Sequence, residues 1–465
     1  MKKETKKLLL VLVIAVVVMF LIGYLPAETE QMTRTAWLYL GCFAFLLICM
    51  ISRILPDWII GLTTLCFMLI FKVGKLSALT AQFSGSTVWM CIGVFIMAIG
   101  IANSGFMKRL ALWIITKFPG TYKGQVAAML VSGLVFTPIL PSTNAKCSIM
   151  APLINQVCKI VGVEPCSRSA RGLWFANFMC TWFLSIAFFT GSSFVPLMIG
   201  FMGGLTFTWT SWFKCTVVWF VVLIILTYIY CAFLCQPKEP LSGDTESLRK
   251  QYQELGPVTD KERKGMIICG AAIILWLTQS LHGIDAGFVA IMADIAFYCV
   301  GLITANEVNA KGQWTLILFI GSILGIASFM TSTGAGDWIS SIVGPILSPI
   351  MVNPYVFVIC LCLITFVGRY FIVNRSGMLA MMIAIFGPLM EAHGMSMFIL
   401  VFVHYMAGAT WNMPYTTPLV MGFLKITGED CIDFDCAKKA SYAYMVMTLI
   451  AMTASVPLWH ALGMC

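Results

Sequence analysis

The chain has 465 residues, 60% of them hydrophobic and 11% charged, with a formal net charge of +9. Soluble domains carry about 25% charged residues, so a soluble globular fold is excluded, and the long uncharged runs point to an all-α polytopic membrane protein. The positive charge lies in loops and orients the chain in a bilayer. With no nucleic-acid motif beside it, nucleic acid is not expected as a partner.

In chain order, "MKKETKK" leads into the run Leu8–Leu25. That run is long enough to span, and "YLPAETE" is a poor cleavage site, so an uncleaved first helix is expected. Spanning helices are predicted near 8–25, 36–51, 58–71, 88–104, 172–200, 212–235, 266–281, 286–303, 313–331, 397–424 and 440–463. That makes about 11 transmembrane helices. Two further apolar stretches, 125–153 and 354–392, are interrupted by Pro, Gly and polar residues.

Basic residues gather at 2–7, 108–123, 159–171 and 238–264. The positive-inside rule makes all four cytoplasmic, the N-terminus included. Segment 125–153 then has cytoplasm on both flanks, so it enters and leaves on one side as a re-entrant hairpin. Segment 354–392 does the same from the outer side. The polar linker 236–265 divides the chain, which gives an extra N-terminal helix (1–35), repeat 1 (36–235) and repeat 2 (266–465).

The halves also agree in sequence. Trp89 and Trp314 each open a span, Gly100-Ile101-Ala102 matches Gly325-Ile326-Ala327, and Trp113-Ile114 matches Trp338-Ile339, all at an offset of 225. Two copies that cross the membrane in opposite senses make an inverted-topology repeat, a mark of secondary transporters.

Broken backbone in hydrocarbon is tolerated only where protein buries it or a wet cavity meets it. Pro138, Pro141 and Pro152 interrupt the first hairpin around Ser142, Thr143, Asn144 and Lys146. The second hairpin offers Asn374, Arg375, Ser376 and Gly377, with Arg375 in roughly the place of Lys146. Half-helix N-termini suit a carboxylate, and freed carbonyls suit a small cation. A second break follows each hairpin: Thr190, Gly191 and Ser192 before Pro196 in one, Asn412 and Tyr415-Thr416-Thr417-Pro418 in the other.

Other polar groups carry weaker expectations. Asp294, inside a span, reads as a packing, cavity or proton site, and His404 as a hydrogen-bonded packing residue. Arg369 is expected to reach the outer interface, where Glu391 and His393 also fall. The 18 cysteines form no CxxC pair and no Cys/His cluster, so neither disulfides nor a metal site is expected. Four His and no HExxH-type motif give no catalytic constellation, and an enzyme is not expected. A channel would need a continuous pore in place of paired breaks.

Ser142-Thr143-Asn144 with Ala145-Lys146, then Asn374 and Ser376 around Arg375, and the stretch "MPYTTPLVMGFLKITG" (Met413–Gly428) resemble the divalent-anion/sodium symporter family. That family includes bacterial citrate/succinate and tartrate/succinate antiporters. Its hairpins carry a Ser-Asn-Thr motif, here in permuted order in the first copy. The resemblance implies a scaffold and an elevator-type transport domain, a homodimer in the bacterial inner membrane, and di- or tricarboxylate or sulfate as substrate.

The expected substrate-binding residues are Ser142, Thr143, Asn144, Lys146, Asn374, Arg375, Ser376, Gly377, Thr416, Thr417 and Pro418. A cation would fall to Ser142, Asn144, Thr190, Gly191, Ser192, Asn374 and Asn412. Many family members couple to sodium through these tips. Here the permuted motif and the fixed charges of Lys146 and Arg375 favour anion exchange with no cofactor. Sodium symport of the same anions, or a sulfate or oxyanion permease, is the alternative.

Overall fold

The computed structural model describes residues 3–465 apart from 54, 141, 203, 240–244, 373 and 428–430. The side chains of 3–5, 7, 144, 331, 415, 418, 419 and 426 also lie outside the description. Every regular element among the described residues is helical. Five helices there are long and apolar enough to cross a bilayer: Arg34–Ser52, Ser86–Ser104, Trp209–Leu234, Pro354–Phe371 and Phe434–Ala461.

Two of the predicted spans, 172–200 and 397–424, are interrupted at the second breaks read from their sequence. The first runs Arg168–Phe178, passes through a wide turn at Met179–Phe183 and a tight one at Leu184–Ala187, and resumes only at Phe194–Gly200. Gly191 sits in the gap, where a Cβ would come within 2.1 Å of the Ser185 carbonyl oxygen. The second runs Met397–Ala407 and resumes at Pro418–Thr427, after a short turn at Pro414–Thr416. Pro414 and Pro418 lack the N–H donors that a continuous helix would need.

The elements of the two halves correspond in order. Each helix–break–helix segment has a polar cap at both starts: Thr121 and Ser142 in Tyr122–Ile139 and Thr143–Val161, Asn353 and Asn374 in Pro354–Phe371 and Arg375–Ala392. Leu140 (φ −108°, ψ 103°) and Ile372 (φ −106°, ψ 100°) end the first helices in nearly identical conformations. The caps Ser142 (φ −83°, ψ 110°) and Asn374 (φ −77°, ψ 109°) agree as closely. Ser142 Oγ accepts from Ala145 N at 3.2 Å and Asn374 Oδ1 from Gly377 N at 2.9 Å, three residues on in each case.

This correspondence corrects one expectation. The caps align Ser142 with Asn374, so Lys146 stands opposite Met378 and Arg375 opposite Thr143. The offset of 225 seen between Trp89 and Trp314 becomes 232 at the tips, because the second half carries more residues before its helix–break–helix segment.

Small residues let the halves approach. A Cβ on Gly93 would meet Ala290 Cβ at 2.8 Å, and one on Gly100 the Phe297 ring at 2.5 Å, so Ser86–Ser104 lies close against Ala286–Cys299. In the reciprocal pair, Gly61 of Asp57–Ile70 faces Ser322 of Trp314–Ser332 at 2.9 Å. Behind the breaks lies an aromatic cluster. Trp411 stacks on Phe183 at 5.6 Å, sits 5.5 Å from Tyr444, and donates its indole N–H to the Ala437 carbonyl at 2.8 Å.

The linker is tied down by one arginine. Arg109 makes a two-pronged ion pair with Glu262 at 2.9 and 3.0 Å and donates to the carbonyls of Leu255, Gly256 and Pro257. Glu262 also accepts from Thr259 N at 2.8 Å, closing a capping box at the start of Asp260–Leu277. The Arg109 hydrogen bonds hold the Glu262 carboxyl below its ordinary pKa.

Two outcomes follow from this packing. Trp411→Ala should cost about 3–5 kcal/mol through the cavity it opens, read as a fall in the unfolding temperature of the purified protein. A depressed carboxyl pKa contributes stability that is present above its unfolded value and lost as pH falls through the folded one. Glu262→Gln should therefore lower the unfolding temperature at neutral pH, and the deficit should shrink in acid, below about pH 4.

Candidate functional site

Each tip faces a cavity. The first, of about 270 Å³, is lined by Ser142, Thr143 and Ala145 together with Ser193, Gln313 and Lys311. The second, of about 620 Å³, is lined by Asn374, Arg375 and Ser376 and by Thr416 and Thr417 of the facing break. Phe194 and Leu316 line both and form the wall between them. The larger cavity is basic: Arg53, Arg369 and Arg375 line it, with Asp57 as its acidic residue.

Arg375 is the first residue of its helix, just after the Asn374 cap. Its guanidinium lies over the Tyr405 ring at 3.8 Å and near Phe194 at 5.0 Å. A planar cation stacked this way is held in orientation yet keeps edge donors for an anion. Arg369 does not reach an outer interface. It is buried, and it donates to Ile372 O at 3.0 Å and Thr416 O at 2.7 Å, which ties the second tip to the second break. Asn374 Nδ2 donates to Asp57 Oδ1 at 2.9 Å. The Thr416 and Thr417 hydroxyls donate to the Met413 and Thr410 carbonyls at 2.7 and 2.9 Å.

The first half is held differently. Lys146 is fully buried, and its ammonium donates to the Gly191 carbonyl at 2.6 Å. It lines neither cavity. Thr190 accepts from Trp209 Nε1 at 3.2 Å, and Ser192 Oγ accepts from Phe194 N at 3.3 Å. Gly377 lies against Met50, Asn144's side chain is outside the described residues, and so is that of Pro418.

The remaining candidates separate from the cavities. His404 bridges Thr365 Oγ1 at 3.1 Å and the Arg375 carbonyl at 3.4 Å, as a packing residue would. Both Asp294 oxygens are buried without a hydrogen-bond partner among the described residues, and Asp294 lines neither cavity. Glu391 and His393 are exposed at a helix end.

The residues test poorly for sodium in the first half. The Gly191 carbonyl, the kind of freed oxygen a cation would take, already accepts from Lys146 Nζ. Asn412 donates to Tyr370 Oη at 2.9 Å, while its amide oxygen is buried without a partner among the described residues. No group of three or more His, Cys, Asp or Glu among the described residues gathers to hold a metal. Sequence reasoning passed over Arg53 and Asp57. Their signal was "SRILPDW" (Ser52–Trp58), a charged, Pro-containing break between two apolar runs.

An all-helical membrane chain whose helices break at two capped tips, each facing a cavity, is a transporter. A family model described as the sodium:sulfate symporter transmembrane region matches residues 6–464, and the chain belongs to that family. It is 25% identical to the inner membrane protein YbhI of Escherichia coli K12 over 410 residues, 84% of each chain. It is 23% identical to a putative malate transporter, YflS, of Bacillus subtilis, over 73% of each. It is 23% identical to an L-tartrate/succinate antiporter of Escherichia coli UTI89, over 80% of this chain and 82% of that one.

Two solved structures share the fold. The YdaH transporter of Alcanivorax borkumensis superposes with a TM-score of 0.57 at 13% identity, covering 99% of this chain and 98% of that one. MtrF of Neisseria gonorrhoeae, from a class of antimetabolite efflux pumps, superposes at 0.58 and 14% identity, covering 96% and 97%. The chain is thus a membrane anion transporter and not an enzyme.

The stacked geometry of Arg375 gives a test. Arg375→Gln should weaken anion binding by about tenfold or more, equivalent to ~1.4 kcal/mol. Arg375→Lys should recover little of it, because an ammonium cannot lie flat on Tyr405 and present two donors. Anion-dependent thermal stabilisation of each purified variant measures both.

Proposed function

We propose that the chain is a secondary active transporter of di- and tricarboxylate anions that works by exchange, with an elevator-type movement. The observation that carries this is the convergence of Arg53, Arg369 and Arg375 with the second tip and second break on one cavity of about 620 Å³. Guanidinium and amide donors suit a carboxylate, and the cavity's positive charge suits a multivalent one. Relatives named as a tartrate/succinate antiporter and a putative malate transporter agree with this class of substrate.

Exchange is favoured over sodium symport by Lys146. Its ammonium stands on the Gly191 carbonyl, so the first half carries a fixed cation where a coupled one would otherwise bind. A fixed charge cannot be released on the empty return, so only an anion-loaded carrier recrosses cheaply.

The architecture we infer is an inverted-topology repeat, supported by the matched caps and backbone angles of the two tips. On this reading residues 1–35 form an extra helix, 36–235 and 266–465 the repeats, and 236–265 a cytoplasmic linker. The segments 125–153 and 354–392 enter from the cytoplasmic and outer sides. The tips and breaks move as a transport domain against a scaffold that pairs in a homodimer, in a bacterial inner membrane with the N-terminus cytoplasmic.

A second reading is sodium symport of the same anions. The buried oxygens of Asn412 and Thr143, which have no hydrogen-bond partner among the described residues, favour it.

Proteoliposomes decide between them. Uptake of labelled succinate should require an internal dicarboxylate and proceed equally in sodium and potassium. Uptake that needs sodium and ignores the internal anion selects symport. If no di- or tricarboxylate is taken up in either salt, the carboxylate reading falls.

A further inference from the structure

The larger cavity contains the chain's own carboxylate. Asp57, the first residue of Asp57–Ile70, comes from the loop that also carries Arg53, outside both tips. Its Oδ1 accepts from Asn374 Nδ2 at 2.9 Å, so it is bonded to the cap of the second tip, a residue expected to meet substrate. The charged residues lining the cavity are Arg53, Arg369, Arg375 and Asp57, three cations against one anion, a net charge of two.

We infer that Asp57 sets the charge selectivity of the transporter: its carboxylate leaves the cavity balanced for a dianion and repels the third carboxylate of a trianion. The inference rests on the carboxylate reading of the same cavity. A charge held among other charges costs free energy unless it is paired, so a site's preferred ligand is the one that neutralises it. A succinate-like dianion matches a net charge of two. A citrate-like trianion leaves one negative charge over, beside an aspartate. Selectivity built on repulsion of the wrong ligand is a common device, and here a single side chain supplies it. Asp57 also holds the Asn374 amide in one orientation, with its nitrogen toward Asp57 and its oxygen on Gly377 N. That second effect is independent of charge, so the two can be separated.

Asp57→Asn separates them, because an amide oxygen still accepts from Asn374 Nδ2 while the charge is gone. Binding of succinate and of citrate, at a pH where citrate is a trianion, is measured on the purified full-length protein by thermal shift titration. Removing one charge from a partly wet cavity should move the citrate-to-succinate affinity ratio by about tenfold or more toward citrate. Asp57→Glu should leave the ratio near wild type. Arg53→Gln should move it the opposite way, and it keeps the inference testable if Asp57→Asn does not fold. Equal changes in both affinities, or an unmoved ratio, would overturn the role of Asp57 while leaving the transport reading intact. A wild type that binds neither anion brings down the carboxylate reading itself, before any variant is compared.

Discussion

Four helices stop inside an apolar body, and the backbone groups freed there must be satisfied by something other than water. Unpaired, each would cost several kcal/mol. Two buried cations help to do this. Lys146 donates to the Gly191 carbonyl in the first half, and Arg369 donates to the Thr416 carbonyl in the second. Side-chain caps at Ser142 and Asn374 take up N–H groups at the two tips. The cavities exist because these contacts let the chain stay broken.

The two halves solve one backbone problem with different chemistry. Their tips share dihedral angles to within a few degrees. The first keeps its charge behind the tip, on Lys146. The second puts Arg375 at the tip itself and Arg369 just before it, and the loop at Arg53–Asp57 adds a further pair. A shared backbone with unequal charge yields a smaller, mostly neutral cavity and a larger basic one. Phe194 and Leu316 keep them apart. On the proposed reading the anion binds at the basic end, and the asymmetry between the halves would set the carrier's substrate class.

Much of this was legible in the chain. The charge deficit and long apolar runs gave a helical membrane protein, and the prolines with Ser142–Asn144 and Asn374–Gly377 marked both tips. The bounds 354–392 coincide with the two helices Pro354–Phe371 and Arg375–Ala392. Hydropathy, which averages over a window, carries 172–200 and 397–424 as spans, while Thr190-Gly191-Ser192 and the stretch from Asn412 to Pro418 mark the breaks inside them. The pairing of Lys146 with Arg375 went astray because the offset between halves changes before the tips, and caps and backbone angles, not charges, define the register.

Sequence alone determined what depends on local composition: the membrane class, the helical content, the positions of the polar breaks, and the residue types able to hold an anion. Only the tertiary structure decided which charges meet. It turned Lys146 away from the cavities and onto Gly191, buried Arg369 against Thr416, and brought Asp57 to Asn374 across 317 positions of chain, with Arg53 lining the same cavity. Such contacts are long-range. Each depends on how helices distant in sequence pack, and no pattern of neighbouring residues encodes that distance.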